Sequence, residues 1–101
     1  MLDPQLRKRL RAIAHHLDPV VSIGDSGVST GVVDETNRAL RDHELIKAKV
    51  HSEDRDARKA LGDALCEETG ASIVQRIGKT LVLYRSNPDA NPKLSNVQRH
   101  S

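Results

Sequence analysis

Gly24, Asp25, Ser26 and Gly27 spell GDSG, four residues that admit two chemistries. In a trypsin-like setting Ser26 is a nucleophile, which requires a histidine as base, a carboxylate to orient it and an oxyanion hole. As a glycine-bracketed turn opening onto a helix, the same residues bring backbone amides close to a phosphate, with little side-chain bulk in the way and the helix dipole in support. The nucleophile lacks its setting. Val28 stands where the trypsin-like motif needs a second glycine, and the G-x-S-x-G spacing of a serine elbow is missing. The plain role of Ser26 is to satisfy a turn amide. Asp25 counts against a tight phosphate cradle, since its charge repels the ligand unless it turns away to cap a neighbouring amide. Glycines also serve many strand-to-helix connections through geometry alone, so the turn in isolation leaves that choice open.

The remaining side chains with binding chemistry are cations. LIKAKVH alternates strictly, with Ile46, Ala48 and Val50 on one face and Lys47, Lys49 and His51 on the other, the pattern of a half-buried strand carrying two ammonium groups outward. Arg7, Lys8, Arg9 and Arg11 surround an apolar stripe near the N-terminus. They suit either a phosphate backbone, with counterion release, or a solvated helix face. Arg76, Lys79 and Arg85 extend the basic set around a second pair of strands. Tyr84 is the only aromatic residue, so base stacking on a sheet is not expected and recognition falls to backbone, shape and charge.

Metal, cofactor and enzyme chemistry find no foothold. His15, His16, His43, His51 and His100 show no HExxH or CxxC spacing with Cys66, and neither a Walker loop nor a dinucleotide fingerprint is present. Cys66, inside a helix pattern, is expected to pack as a small apolar residue. The chain of 101 residues fits one modest core. With 37% hydrophobic and 30% charged residues it has the balance of a globular domain. No apolar run is long enough for a membrane helix and no secretory signal opens the chain, so no membrane partner and a cytoplasmic location are expected. The formal charge of +2 is small, but its distribution is uneven. Glu53 to Glu68 hold six acids against three bases, leaving positive charge concentrated elsewhere.

The elements that position these residues can be read in order. Asp3 and Pro4 open a helix with Leu6, Leu10, Ile13 and Leu17 as its buried stripe, and Pro19 ends it. PVVSI reads as a buried strand. Ser29 or Thr30 caps a second helix to about Asp42, with Val32, Thr36, Ala39 and Leu40 inward. After the LIKAKVH strand, Ser52 caps a third helix with Ala57, Leu61, Ala64 and Leu65 inward and Gly70 as its left-handed stop. ASIVQRIGKTLVLYR is two strands joined at Gly78-Lys79 by a type II′ turn. The fold class is therefore α/β, a two-layer domain with a small mixed four-stranded sheet and three helices in the order α-β-α-β-α-β-β, the helices screening one face. Residues 1–85 form the domain. Residues 86–101, with two Asn-Pro steps and few apolar residues, read as a flexible tail.

GDSGVSTGV, a helix, HELIKAKV, and then ETGASIVQRIGKTLVLYR together resemble the CRM domain, the chloroplast RNA splicing and ribosome maturation module, in its single-domain bacterial YhbY-type form. The resemblance covers about Pro4 to Arg85. It implies a fold similar to the C-terminal domain of a translation initiation factor, and a protein that binds ribosomal RNA in large ribosomal subunit precursors, with RNA rather than DNA as the nucleic acid. It likens Gly24, Asp25, Ser26 and Gly27 to the GxxG loop with which KH domains clamp backbone. Lys47 and Lys49 fall within a family block. The expected RNA-binding set is thus Gly24, Asp25, Ser26, Gly27, Lys47, Lys49, Arg7, Lys8, Arg11, Arg76, Lys79 and Arg85. The alternatives are an adaptor that docks a basic partner through the acidic third helix, and a small hydrolase built on the GDSG turn.

Overall fold

The computed structural model describes residues 2–99. Its elements run α1 (Pro4–Ala14), β1 (Pro19–Ile23), α2 (Thr30–His43), β2 (Leu45–Val50), α3 (Arg55–Thr69), β3 (Ser72–Ile77) and β4 (Thr80–Tyr84), the expected order. The sheet is mixed, with strand order β1-β2-β4-β3. β1 lies parallel to β2, while β4 is antiparallel to both of its neighbours. The parallel pair requires a crossover, and α2 supplies it.

Capping chemistry accounts for most element ends, with two departures from expectation. Ser29 accepts from the Val32 amide and starts α2. Gly70, at φ +74°, ends α3 in the left-handed conformation. At α1 Pro4 takes the first turn as expected, but the Asp3 side chain makes no capping bond. Asp54 rather than Ser52 caps α3, accepting from the Asp56 amide, while the Ser52 hydroxyl accepts from Asp54 one step earlier. Between β3 and β4, Gly78 has φ +55° and Lys79 does not follow it into positive φ, as a type II′ rather than a type I′ turn demands.

Strand alternation divides the interior in two. Ile46, Ala48 and Val50 of β2, with Leu81 and Leu83 of β4, pack with Leu40 of α2 and Leu65 of α3. Leu45 and Val82, their immediate chain neighbours, point to the other face, where they meet Leu10, Ile13 and Ala14 of α1. The expectation that all three helices screen one face therefore fails for α1. It crosses to the opposite face, because Leu45, Val74, Val82 and Tyr84 form an apolar patch there that only another apolar stripe can cover. The sheet is sandwiched between helices at its Leu45 end. Towards the Val50 end it keeps the expected two layers.

Gly62 sits in the middle of α3, where glycine costs about 1 kcal/mol in helix propensity. A Cβ there would come 2.8 Å from Leu81 Cδ1 and 3.1 Å from Arg76 Nη1, so the glycine lets α3 approach β4. Replacing Gly62→Ala recovers propensity but forces Leu81, only 4% exposed, out of a packed position, at a typical cost of about 1–3 kcal/mol. The net expectation is a loss of about 1 kcal/mol, measured as a lower urea midpoint at unchanged m-value.

Residues 86–99, expected as part of a flexible tail, are docked in this structure. Asn87 and Asn91, each before a proline, fold the chain into Asx turns by accepting from the Asp89 and Lys93 amides. The Asn96 amide donates to the His43 carbonyl and its side chain to the Leu45 carbonyl. Val97 packs against the α1-side core. At the centre is Glu44, 4% exposed, whose carboxylate accepts from the Asn87 amide at 2.9 Å, the Ser95 hydroxyl at 2.8 Å and Gln98 Nε2 at 3.1 Å. Polar groups make this attachment, which is why low apolar content concealed it. His100 and Ser101 lie outside the described residues.

Candidate nucleic-acid interface

The GDSG bend leaves the end of β1 and is a closed turn, with the Gly27 amide donating to the Gly24 carbonyl at 3.0 Å. Gly27 needs to be glycine, since its φ is +66°. Gly24, Asp25 and Ser26 are exposed and Gly27 is half-buried. Of the four amides only that of Gly27 is engaged; those of Asp25 and Ser26 find no acceptor among the described residues. The bend thus offers free donors ahead of the α2 N-terminus. Asp25 makes no hydrogen bond among the described residues that would turn its carboxylate aside, so it remains an unfavourable charge beside those donors.

Lys47 and Lys49 share the sheet face that α1 covers only in part. Lys49 is exposed and Lys47 half-buried. Lys47 faces Arg11 and His15 of α1 across a groove of about 340 Å³ floored by Val82. Lys8 is exposed on the same helix, one turn before Arg11. The register ties this surface to the bend, because Lys49 pairs with Ser22 and Val50 with Ile23. Gly24 follows at once, about 7 Å along the strand from Ser22 at the usual rise. The two features expected to bind phosphate are therefore adjacent at one end of the sheet.

The other expected cations divide by what already holds them. Arg7 donates from Nη1 to the carbonyls of Ile73 and Val74 at 2.9 and 2.7 Å. The register of β3 shifts between Ile73 and Gln75, a bulge that leaves backbone acceptors for this guanidinium to satisfy. Arg85 donates to the Asn37 side chain at 2.8 Å, to the Asn37 carbonyl at 3.1 Å and to the Thr69 carbonyl at 2.7 Å, binding the middle of α2 to the C-terminal end of α3. It also follows Tyr84, the partner of Leu45, at the end of the sheet away from the bend. Arg76 reaches the α3 side, where it meets Asp63 at 2.6 Å. Lys79 is at the bend's end of the sheet and pairs with Glu53. Neither Arg7 nor Arg85 joins the surface of Lys47 and Lys49, and Arg76 opens on the other face.

One sequence reading changes in context, that of the acidic third helix. Several acids in and just before α3 are occupied within the domain, Glu53 by Lys79 and Asp63 by Lys59 and Arg76, while Asp54 caps the helix. Cys66 is half-buried against the α2–α3 core as expected, and burial pushes its thiol pKa up, away from a reactive thiolate. The three bases of this stretch, Arg55, Arg58 and Lys59, lie on one helix face through their i, i+3, i+4 spacing, a grouping that the excess of acids around them masks in the sequence.

The sequence model of the CRS1 / YhbY (CRM) domain matches residues 2–85. The chain belongs to the CRM-domain family. Among relatives of this CRM protein, a probable RNA-binding protein of Pseudomonas aeruginosa is 45% identical over 98 residues, 97% of this chain and 94% of that one. An RNA-binding protein of Haemophilus influenzae is 43% identical, covering 92% of this chain and 94% of its own length. In three dimensions the CRM domain is similar to the solution structure of a hypothetical Staphylococcus aureus protein proposed to bind RNA. That likeness has a TM-score of 0.78 at 33% identity and covers 90% of this chain and 95% of the other. The expected fold class is thereby upheld in its three helices, mixed four-stranded sheet and element order.

Proposed function

We propose that this CRM protein binds ribosomal RNA in precursors of the large ribosomal subunit, in the cytoplasm, and assists assembly by holding the RNA without making or breaking bonds. Residues 1–85 carry the binding. In this reading the free amides of Asp25 and Ser26 meet one phosphate, and Lys49, Lys47, Arg11 and Lys8 meet others along the adjoining face. The observation that carries it is the adjacency of an exposed, glycine-bounded bend to two lysines of the neighbouring parallel strand. The relatives named for RNA binding support RNA as the polyanion.

Backbone recognition has a measurable signature. Each phosphate neutralised releases condensed counterions, so the logarithm of affinity falls linearly with the logarithm of salt by about 0.7–0.9 per contact. The four cations at this face are expected to contribute about −3 to the slope for binding to large-subunit ribosomal RNA, together with weak discrimination among structured RNAs of similar shape. A flat salt profile would remove the electrostatic mechanism. Co-sedimentation of the protein with large-subunit precursors in a cell lysate tests the cellular target, and its absence from those fractions would refute that part of the reading.

A further inference from the structure

The third helix reads as acidic, yet the fold turns its three bases the same way. Arg55, Arg58 and Lys59 join Arg76 and Lys79 to line a groove of about 410 Å³ between α3 and the β3–β4 hairpin, floored by Val50 and Leu81. Gly62 makes the groove possible, since a side chain there would press on the Arg76 guanidinium and on Leu81. Three acids stand against the five bases: Asp56 in the lining, Asp63 accepting from Lys59 at 3.1 Å and Arg76 at 2.6 Å, and Glu53 paired with Lys79. The Asp63 and Glu53 side chains are 50% and 90% exposed. Hydrogen bonds from Lys59 and Arg76 lower the Asp63 pKa, and one from Lys79 lowers that of Glu53. Solvent-exposed pairs of this kind contribute little to stability, so these cations can exchange a carboxylate for another oxyanion at small cost. The Arg55 side chain makes no hydrogen bond or ion pair among the described residues.

The groove also has a position. The Lys79 carbonyl accepts from the Val50 amide at 2.7 Å, and the His51 amide donates to the Ile23 carbonyl at 2.9 Å. Bend and hairpin therefore share one end of the sheet, separated by β2 alone, or about 10 Å at the usual strand spacing. Gly27 of the bend lies beside Leu61 of α3, on the flank of the helix away from the groove. We infer that the groove between α3 and the hairpin is a second phosphate-binding site, taking sugar-phosphate backbone that continues past the bend. The identity of its phosphate source rests on the RNA-binding reading above; the site itself rests on the convergence of Arg55, Lys59, Arg76 and Lys79 from two elements, beside an Arg58 whose Nη1 donates to the Ser52 and Glu53 carbonyls at 2.9 and 3.1 Å.

The test is the double substitution Arg55→Gln with Lys59→Gln, which keeps helix-forming residues and leaves Asp63 paired to Arg76. Large-subunit ribosomal RNA is titrated across a salt series, and inorganic pyrophosphate is titrated separately while backbone amide shifts are followed by NMR. The expected result is a salt slope shallower by between one and two, at about 0.7–0.9 per lost contact, with weaker RNA binding at low salt. If the variant binds RNA with the wild-type slope and affinity, the groove is overturned while the RNA reading stands. If the wild-type protein binds no RNA, that reading falls and the pyrophosphate titration decides. Shifts confined to residues 55–59 and 76–79 that vanish in the variant keep the groove as a phosphate site for another source; their absence overturns it.

Discussion

Replacing Lys47 and Lys49 together by Glu is expected to weaken binding to ribosomal RNA by about a thousandfold at low salt. The change reverses two charges on one face, four charge units in all. At about 1 kcal/mol per unit for a contact near 4 Å in water, that amounts to about 4 kcal/mol, or roughly three decades in the dissociation constant. The loss should shrink as salt rises, because the removed interactions are the screened ones. Folding is expected to survive, since Lys49 is exposed and Lys47 borders an open groove beside Arg11, where a glutamate gains a partner. Arg38→Glu with Arg41→Glu, two exposed cations of α2, makes the same change in net charge and serves as the control. If both double variants weaken binding equally, overall charge rather than this face is responsible, and the interface has been misplaced.

The second large effect belongs to Glu44. Its φ of +61° is the only positive value at a non-glycine residue among the described residues, a conformation that favours glycine. The carboxylate explains the retention of a side chain there, because it gathers donors from Asn87, Ser95 and Gln98. Glu44→Ala leaves the buried Ser95 hydroxyl and the Asn87 amide without their acceptor, which should cost about 2–3 kcal/mol and release residues 86–99. Loss of amide-exchange protection at Asn87 and Asn96, with α3 protection changed less, would report the release. A melting temperature and exchange pattern equal to wild type would show that the segment is held by something other than this carboxylate.

The same group makes docking pH-dependent. Burial raises the Glu44 pKa, but the hydrogen bonds from Asn87, Ser95 and Gln98 outweigh it and hold the value below the ordinary 4.5. A carboxyl with a depressed folded-state pKa contributes stability that is present above its unfolded value and lost as pH falls through the folded one. Attachment of the C-terminal segment should therefore be constant at neutral pH, weaken below about 4.5 and be gone once Glu44 is protonated. Glu44→Gln should remove that pH dependence.

The amino-acid order alone specified the seven elements, the open bend and the lysine face, because each depends on neighbours within a few residues. Pro4 and Ser29 mark helix starts, Gly70 marks a stop, alternation in LIKAKV separates lysines from core, and two glycines shape GDSG. These signals are local preferences of backbone and side chain, and they survive into the folded state. The tertiary structure alone decided which face α1 covers, that Arg7 is held by carbonyls 66 and 67 residues away, that Arg85 ties α2 to α3, and that residues 86–99 dock on Glu44. It also brought the bases of α3 to Arg76 and Lys79. Each of these depends on groups far apart in the chain and on unpaired acceptors that exist only once a bulge or a helix end has formed, so no periodicity along the chain announces them.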